Sequence, residues 1–183
     1  MPFTFRPALR GPTRLLIGLV GPTWTGKTYS AHRLSKGIVK ARGGKVVGID
    51  TEAGRMLQYA NEFQFQYLEF KEPFGSLRYA EAMRAAAEEA AGGCVIVDSM
   101  SHEHEGLGGY LEYHEREVER LCKEGGFKTL FSAQIPAWNR PAGDRRKLIN
   151  ALLQLKCAFI FCFRAKEKIK PQKGGSPIEL GWQ

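Results

Sequence analysis

One octapeptide constrains this chain more than any other feature. Gly21-Pro22-Thr23-Trp24-Thr25-Gly26-Lys27-Thr28 has the form G-x-x-x-x-G-K-[ST] and stands between an apolar run and an amphipathic stretch. The chemistry needs that context. Glycines at 21 and 26 admit backbone angles closed to other residues, so successive N–H groups can converge on phosphate oxygens. The helix opening after Gly26 adds the positive end of its dipole. Lys27 is then placed to reach the β and γ phosphates, and the Thr28 hydroxyl to ligate Mg²⁺. Residues 21–28 are therefore the expected nucleotide-binding segment, with ATP and Mg²⁺ the expected ligands. Trp24 is bulky for such a loop and reads as an outward-facing aromatic.

Around this loop, short apolar runs alternate with amphipathic helical stretches, the rhythm of βαβ units. Strands are expected at Leu15–Val20, Lys45–Asp50, Gln66–Phe70, Cys94–Asp98 and Ala158–Phe163. Several are continuous apolar runs, as in strands of a parallel sheet covered on both faces. Ala31, Leu34, Ile38 and Ala41 share one face of a first helix. Ala80, Met83, Ala87 and Ala90 form the stripe of a second, which Ser76 can cap. A third helix is expected over about 107–123 and a fourth over about 144–156. TLFSAQIPAW, within 125–143, reads equally as strand, loop or helix start. The 183 residues suffice for one domain of ordinary size and not for two.

The longest stretch without a charged side chain, Leu15–Gly26, is 12 residues, whereas a bilayer-spanning helix needs roughly 20. No secretory leader is expected at the N-terminus, so the expected location is the cytoplasm and no membrane partner is expected. Cys94, Cys122, Cys157 and Cys162 form no CxxC pair and read as small buried hydrophobes rather than disulfides or zinc ligands.

Two further apolar strands end in acids. Cys94-Val95-Ile96-Val97-Asp98 would put Asp98 in the Mg²⁺ shell at the carboxyl end of a strand neighbouring the phosphate loop, where ligands bind in open α/β sheets. Val46-Val47-Gly48-Ile49-Asp50-Thr51-Glu52 offers a second carboxylate. The metal needs only one, which leaves Glu52 as the candidate base that orients an attacking water.

GPTWTGKT, VVGIDTE and CVIVDS, in this order and spacing, resemble the RecA-like branch of P-loop ATPases. More narrowly, the chain resembles phage and prophage AAA-family ATP-binding proteins, some of which act in single-strand-annealing recombination. The matching stretches are FRPALR (5–10), GPTWTGKTYSAHRL, IDTEAGR, DSMSHEHEG, NALLQLK and IFCFRAKEKI. The resemblance implies a single domain over 1–183 with a mostly parallel β-sheet sandwiched by helices. It implies Mg²⁺-dependent ATP hydrolysis coupled to single-stranded DNA in phage recombination or replication, in the cytoplasm of a bacterial host. It also implies assembly into a homo-oligomer and work beside other phage recombination or replication proteins. Residue by residue, it puts Lys27 and Thr28 on nucleotide and metal, Asp98 on metal, Glu52 as base and Arg164 as γ-phosphate sensor. Proteins of this family continue past the GWQ segment with further strands, so the resemblance implies a C-terminally truncated chain: a fragment, a shortened homologue or a decayed prophage copy.

Charge is uneven. Residues 1–120 hold 15 Lys and Arg against 15 Asp and Glu, whereas residues 121–183 hold 12 against 4. The basic third reads either as a polyanion-binding surface or as a solvated face. Arg145 and Arg146, with Lys147, fall in the expected first turn of the fourth helix, where cations oppose the dipole, so a bound anion would explain them. Lys166, Lys168 and Lys170 alternate after Arg164 and share one face of an extended segment, either a phosphate-tracking row or a lysine-protected edge. Trp138 suits a base stack or a core. His102 and His104, followed by EGLGG, read as an ordinary connection with mobile backbone, as part of a DNA or γ-phosphate loop, or as a metal site. Two rival functions remain on sequence grounds: a small-molecule or nucleoside kinase sharing the same loop, and a non-catalytic accessory protein retaining a nucleotide pocket.

Overall fold

The computed structural model describes residues 5, 7–9, 14–170 and 178–182, with side chains as far as 166. Five strands form one all-parallel sheet: β1 (Leu16–Gly21), β2 (Val46–Asp50), β3 (Gln66–Glu69), β4 (Cys94–Asp98) and β5 (Ala158–Arg164). Their spatial order is β1-β5-β4-β2-β3. Helices α1 (Lys27–Arg42), α2 (Ser76–Ala90), α3 (Ser101–Glu105), α4 (Tyr110–Lys123), α5 (Leu130–Ala137) and α6 (Asn139–Gln154) flank it. A short antiparallel pair, β6 (Glu167–Lys170) and β7 (Ile178–Trp182), follows. No helix among the described residues is long and apolar enough to cross a membrane.

The layers follow from where the apolar side chains of alternate strand positions go. Val46, Cys94, Ile96, Ala158, Ile160 and Cys162 pack beneath Ala31 of α1 on one face. Val47, Ile49, Val95, Val97, Phe159 and Phe161 pack beneath α2 and α6 on the other. β2 and β4 are buried along their whole length. Burial of a side chain such as Ile96 is worth about 1.5–3 kcal/mol, so a polar substitution at the sheet's centre would unfold it. Burial also pushes the Cys157 thiol up to about 11 and Cys94 to about 12, so both remain protonated hydrophobes.

β1 departs from the expected two-sided cover. It alternates, leaving Leu16 and Val20 50% and 67% exposed, because they share the face of Phe159 and Phe163, where α2 packs over β2 and β4 rather than over the β1 edge. In α1 the buried face is Ala31, His32 and Ser35, and Leu34 is exposed. Ser76 does not cap α2: Gly75 is the N-cap, and the Ser76 hydroxyl is spent on Glu103 at 2.5 Å. The expected third helix is α4, beginning at Tyr110 rather than at about 107, and an unexpected short helix, α3, precedes it, with a turn at residues 106–109 between them. That turn is pinned rather than loose, because Phe74 N–H donates to Leu107 O at 2.7 Å and Gly108 N–H to Glu112 Oε2 at 2.6 Å. The ambiguous TLFSAQIPAW stretch is α5, opened by a reciprocal Thr129–Ser132 capping box. α6 starts at Asn139, so Arg145, Arg146 and Lys147 lie at the end of its second turn and in its third, and the expected conflict with the dipole disappears.

Chain entry into β2 depends on one glycine. Gly44 has φ +82°, and a Cβ there would stand 2.4 Å from the Gly93 nitrogen at the entry to β4.

Candidate nucleotide cleft

Parallel strands bring all their carboxyl ends to one edge, and the connections leaving β1 and β4 depart over opposite faces, which opens a crevice between them. A cleft of about 120 Å³ at this edge is lined by Thr23, Trp24, Thr25, Gly26, Lys27 and Thr28, together with Glu52, Asp98 and Arg164. Four segments distant in sequence thus meet. Strand register explains the alignment: Gly21 pairs with Arg164, Cys162 with Asp98, and Asp98 with Asp50. Ala165 N–H donates to Gly21 O at 3.0 Å and Thr51 N–H to Asp98 O at 2.8 Å, extending the ladder one residue past the strands.

Asp98 is not on the strand next to β1. β5 intervenes, yet the Thr28 hydroxyl donates to Asp98 Oδ2 at 2.5 Å, because α1 crosses over β5 and β4 on its way to β2. Within the loop the glycines differ in role. Gly26 takes φ +78°, whereas Gly21 is absent from the left-handed region, and a Cβ on it would meet Thr25 Oγ1 at 2.8 Å. The other left-handed residue is Trp24 itself, at φ 67° and 84% exposed. Lys27 Nζ donates to the Gly21 and Pro22 carbonyls at 2.9 and 2.6 Å, folded onto its own loop.

Burial pushes the Asp98 carboxyl above the usual range. The Thr28 hydroxyl and Lys27 oppose this, while the charges of Glu52 and Asp50 reinforce it. A cation beside Asp98 would relieve that crowding. Glu52, almost wholly buried, accepts a hydrogen bond from Arg164 and another from Arg55 Nη1 at 3.3 Å on Oε2. Its Oε1 has no hydrogen-bond partner among the described residues and lies 3.9 Å from His102 Nε2.

Sequence reasoning passed over the residues that hold Glu52 in place. Asp50 folds the loop, accepting from Glu52 N–H at 2.6 Å and Met56 N–H at 3.0 Å. Arg55 bridges Glu52 and the Trp24 ring, 4.8 Å above its centroid. Its signal in the sequence was Gly54 directly before it, which the structure places with Ala53 in a left-handed turn. Thr51 Oγ1 accepts from Ser99 N–H at 2.7 Å and sits 2.7 Å from His102 Nδ1, whose ring stacks on Phe74. Burial lowers the His102 imidazole below its ordinary value, against the raising influence of Glu52.

The basic candidates lie apart from the cleft. Arg145 makes a forked pair with the buried Glu103, at 3.1 and 2.6 Å, and stacks 3.4 Å over Tyr110. That ion pair gives it a structural occupation. Arg146 sits on α6, in no ion pair among the described residues. Lys166 pairs with Glu105 at 2.6 Å, while the side chains of Lys168 and Lys170 lie outside the described residues. Trp138 stacks on His114 at 3.6 Å and Tyr110 at 5.0 Å, the packed alternative of its two readings. His104 accompanies Arg145 at 3.1 Å, away from His102's partners. Among the described residues no group of three or more His, Cys, Asp or Glu is disposed to hold a metal. A Mg²⁺ ion carried largely by phosphates and water needs only one or two protein ligands, and the Thr28–Asp98 pair fits that requirement.

No protein-family model matches the chain, and no curated protein matches it. What fold and site define together is an α/β protein with a five-stranded parallel sheet, helices on both faces and a polar cleft at the carboxyl edge.

Proposed function

We propose that this chain is a RecA-like P-loop ATPase that hydrolyses ATP with Mg²⁺ and couples turnover to single-stranded DNA, as phage recombination and replication proteins do. One observation carries the reading. Lys27, Thr28, Glu52, Asp98 and Arg164, from four separate segments, line a single cleft at the carboxyl edge of a parallel sheet.

The loop amides and the α1 N-terminus bind the phosphates. Lys27 leaves its own carbonyls for the β and γ oxygens, exchanging two backbone hydrogen bonds for phosphate contacts. Thr28 and Asp98 would hold the Mg²⁺, which supplies charge neutralisation at the transferred phosphoryl group. The unpartnered Glu52 Oε1 accepts a proton from water as that water attacks the γ-phosphorus and the bond to the ADP oxygen breaks. Arg164 and Arg55 keep Glu52 oriented and place positive charge beside the γ-phosphate.

The test is ATP turnover with and without single-stranded DNA across a salt series, since phosphate contacts weaken steeply with salt. Stimulation that fades as salt rises is the expected result. Turnover indifferent to both would refute the DNA coupling, and phosphoryl transfer to a nucleoside would favour the kinase.

A further inference from the structure

The largest unexplained polar group lies on α1, about one turn past the phosphate loop. His32 is 1% exposed, and neither ring nitrogen has a hydrogen-bond partner among the described residues. A buried polar group left unpartnered is destabilising, so the fold tolerates a penalty that a ligand would remove. The ring stacks against Phe63 at 5.2 Å and 16°, and tilts against Phe65 at 4.5 Å. Burial lowers its pKa to about 4, so at neutral pH it presents one donor and one acceptor.

His32 is buried just behind a cavity wall, with both ring nitrogens closed to solvent. It lines a cavity of about 510 Å³ between α1 and the segment preceding β3, with Phe63 and Phe65 beside it and Lys36, Gln64 and Gln66 among the other lining residues. That volume is within the range of small-molecule sites. One carboxylate, Glu62, is also on the lining, with its Oε1 accepting from the Tyr29 hydroxyl at 2.8 Å. The wall is braced, because Phe63 N–H donates to Tyr59 O at 2.9 Å.

Outside the cavity, α1 carries Lys27, Arg33, Lys36, Lys40 and Arg42 and no acidic residue. Arg33, Lys36 and Lys40 recur at helical spacing on its exposed face and enter no ion pair among the described residues. Flat π-faces beside a paired donor and acceptor, next to a row of cations, complement a nucleobase joined to phosphate.

We propose that this cavity is a second nucleotide-unit site: the base enters against Phe63, Phe65 and His32, and its phosphate lies on the Arg33–Lys36–Lys40 face of α1. The unit comes either from a single strand or from a free mononucleotide. The strand version deepens the DNA coupling proposed above and rests on it, while the site itself does not. It also moves nucleic-acid contact to α1, away from α6 and the segment after β5.

The experiment uses the full chain with ATPγS saturating the Lys27 cleft. Binding of an oligo(dT) of about 15 nucleotides is measured by anisotropy over a salt series, and dTMP binding by calorimetry. The variants are Arg33→Glu/Lys36→Glu, which changes exposed charges, and His32→Phe, which keeps the ring stack and removes the nitrogens. The charge-reversal pair should weaken oligo(dT) at least about tenfold and flatten the log–log salt slope by about 1.4, two lost single-strand phosphate contacts. His32→Phe should weaken both ligands about tenfold and leave the slope unchanged. DNA-free ATP turnover should stay at the wild-type level in each. Wild-type affinities in both variants overturn the proposal. Binding of dTMP alone, lost in both variants, upholds the site for a free nucleotide and refutes the DNA coupling. Absence of both ligands from the wild-type protein overturns the site, whatever the ATP turnover.

Discussion

Replacing Glu52 with Gln separates the two tasks assigned to this side chain. As an acceptor, Glu52 Oε2 takes hydrogen bonds from Arg164 and from Arg55 Nη1. A glutamine carbonyl in the same place still accepts both, but without charge. Its amino group replaces the unpartnered Oε1. The loss is the difference between charge-assisted and charge-to-neutral bonds, with Arg55 and Arg164 42% and 32% exposed and partly screened by water. That is about 1 kcal/mol, or about 2–4 °C in Tm for a chain of this size. As a base, Glu52 is irreplaceable by an amide, so turnover should fall by about 10²–10⁴, some 2.7–5.5 kcal/mol on the barrier. Stabilisation by Mg·ATP should persist, because Lys27, Thr28 and Asp98 are untouched. Steady-state phosphate release and thermal melts with and without Mg·ATP read both quantities. Turnover within about threefold of wild type, with nucleotide stabilisation intact, would refute the assignment and leave Glu52 as an ion-pair residue.

Asp98→Asn has an effect whose sign depends on pH. An acid whose folded pKa is raised contributes most to stability below its ordinary value of 3.8, and loses that contribution as pH rises through the raised value. The melting temperature of the Asn variant should therefore gain on wild type as pH increases from about 3.5 to 7, while its Mg·ATP stabilisation disappears. A difference independent of pH would count against the crowded carboxylate. Gly44→Ala combines a left-handed backbone with a 2.4 Å approach to the Gly93 nitrogen, and should cost more than about 3 kcal/mol in denaturant unfolding. A neutral outcome would mean that the β2 and β4 entries do not meet as described.

Sequence pattern alone located the five strands of the main sheet, the bulk of α1, α2, α4 and α6, and Lys27, Thr28, Glu52, Asp98 and Arg164 of the cleft, but not α3, α5 or the supporting Asp50 and Arg55. Apolar runs such as Cys94–Asp98 are strands because β-branched side chains buried on both faces leave little else available, and period 3.6 marked α2 through Ala80, Met83 and Ala90. Local pattern also located a glycine loop at a strand-to-helix junction. Tertiary structure decided what no local pattern contains. Inserting β5 between β1 and β4 is a choice among strand orders, and it places Arg164 against Glu52 and draws Thr28 across to Asp98. The partner of Arg145 is Glu103, 42 residues away, so its occupation was invisible to charge counting. The start of α6 at Asn139 depended on the α5 junction rather than on a cap at Asp144. His32 shows the same division. Its helical position was readable, but the Phe63 and Phe65 rings that make it an unpartnered buried base come from a segment 30 residues on, brought there by the parallel pairing of β2 with β3. Periodicity is a property of neighbours along the chain, whereas ion pairs, cavities and strand order depend on which distant segments the sheet brings together.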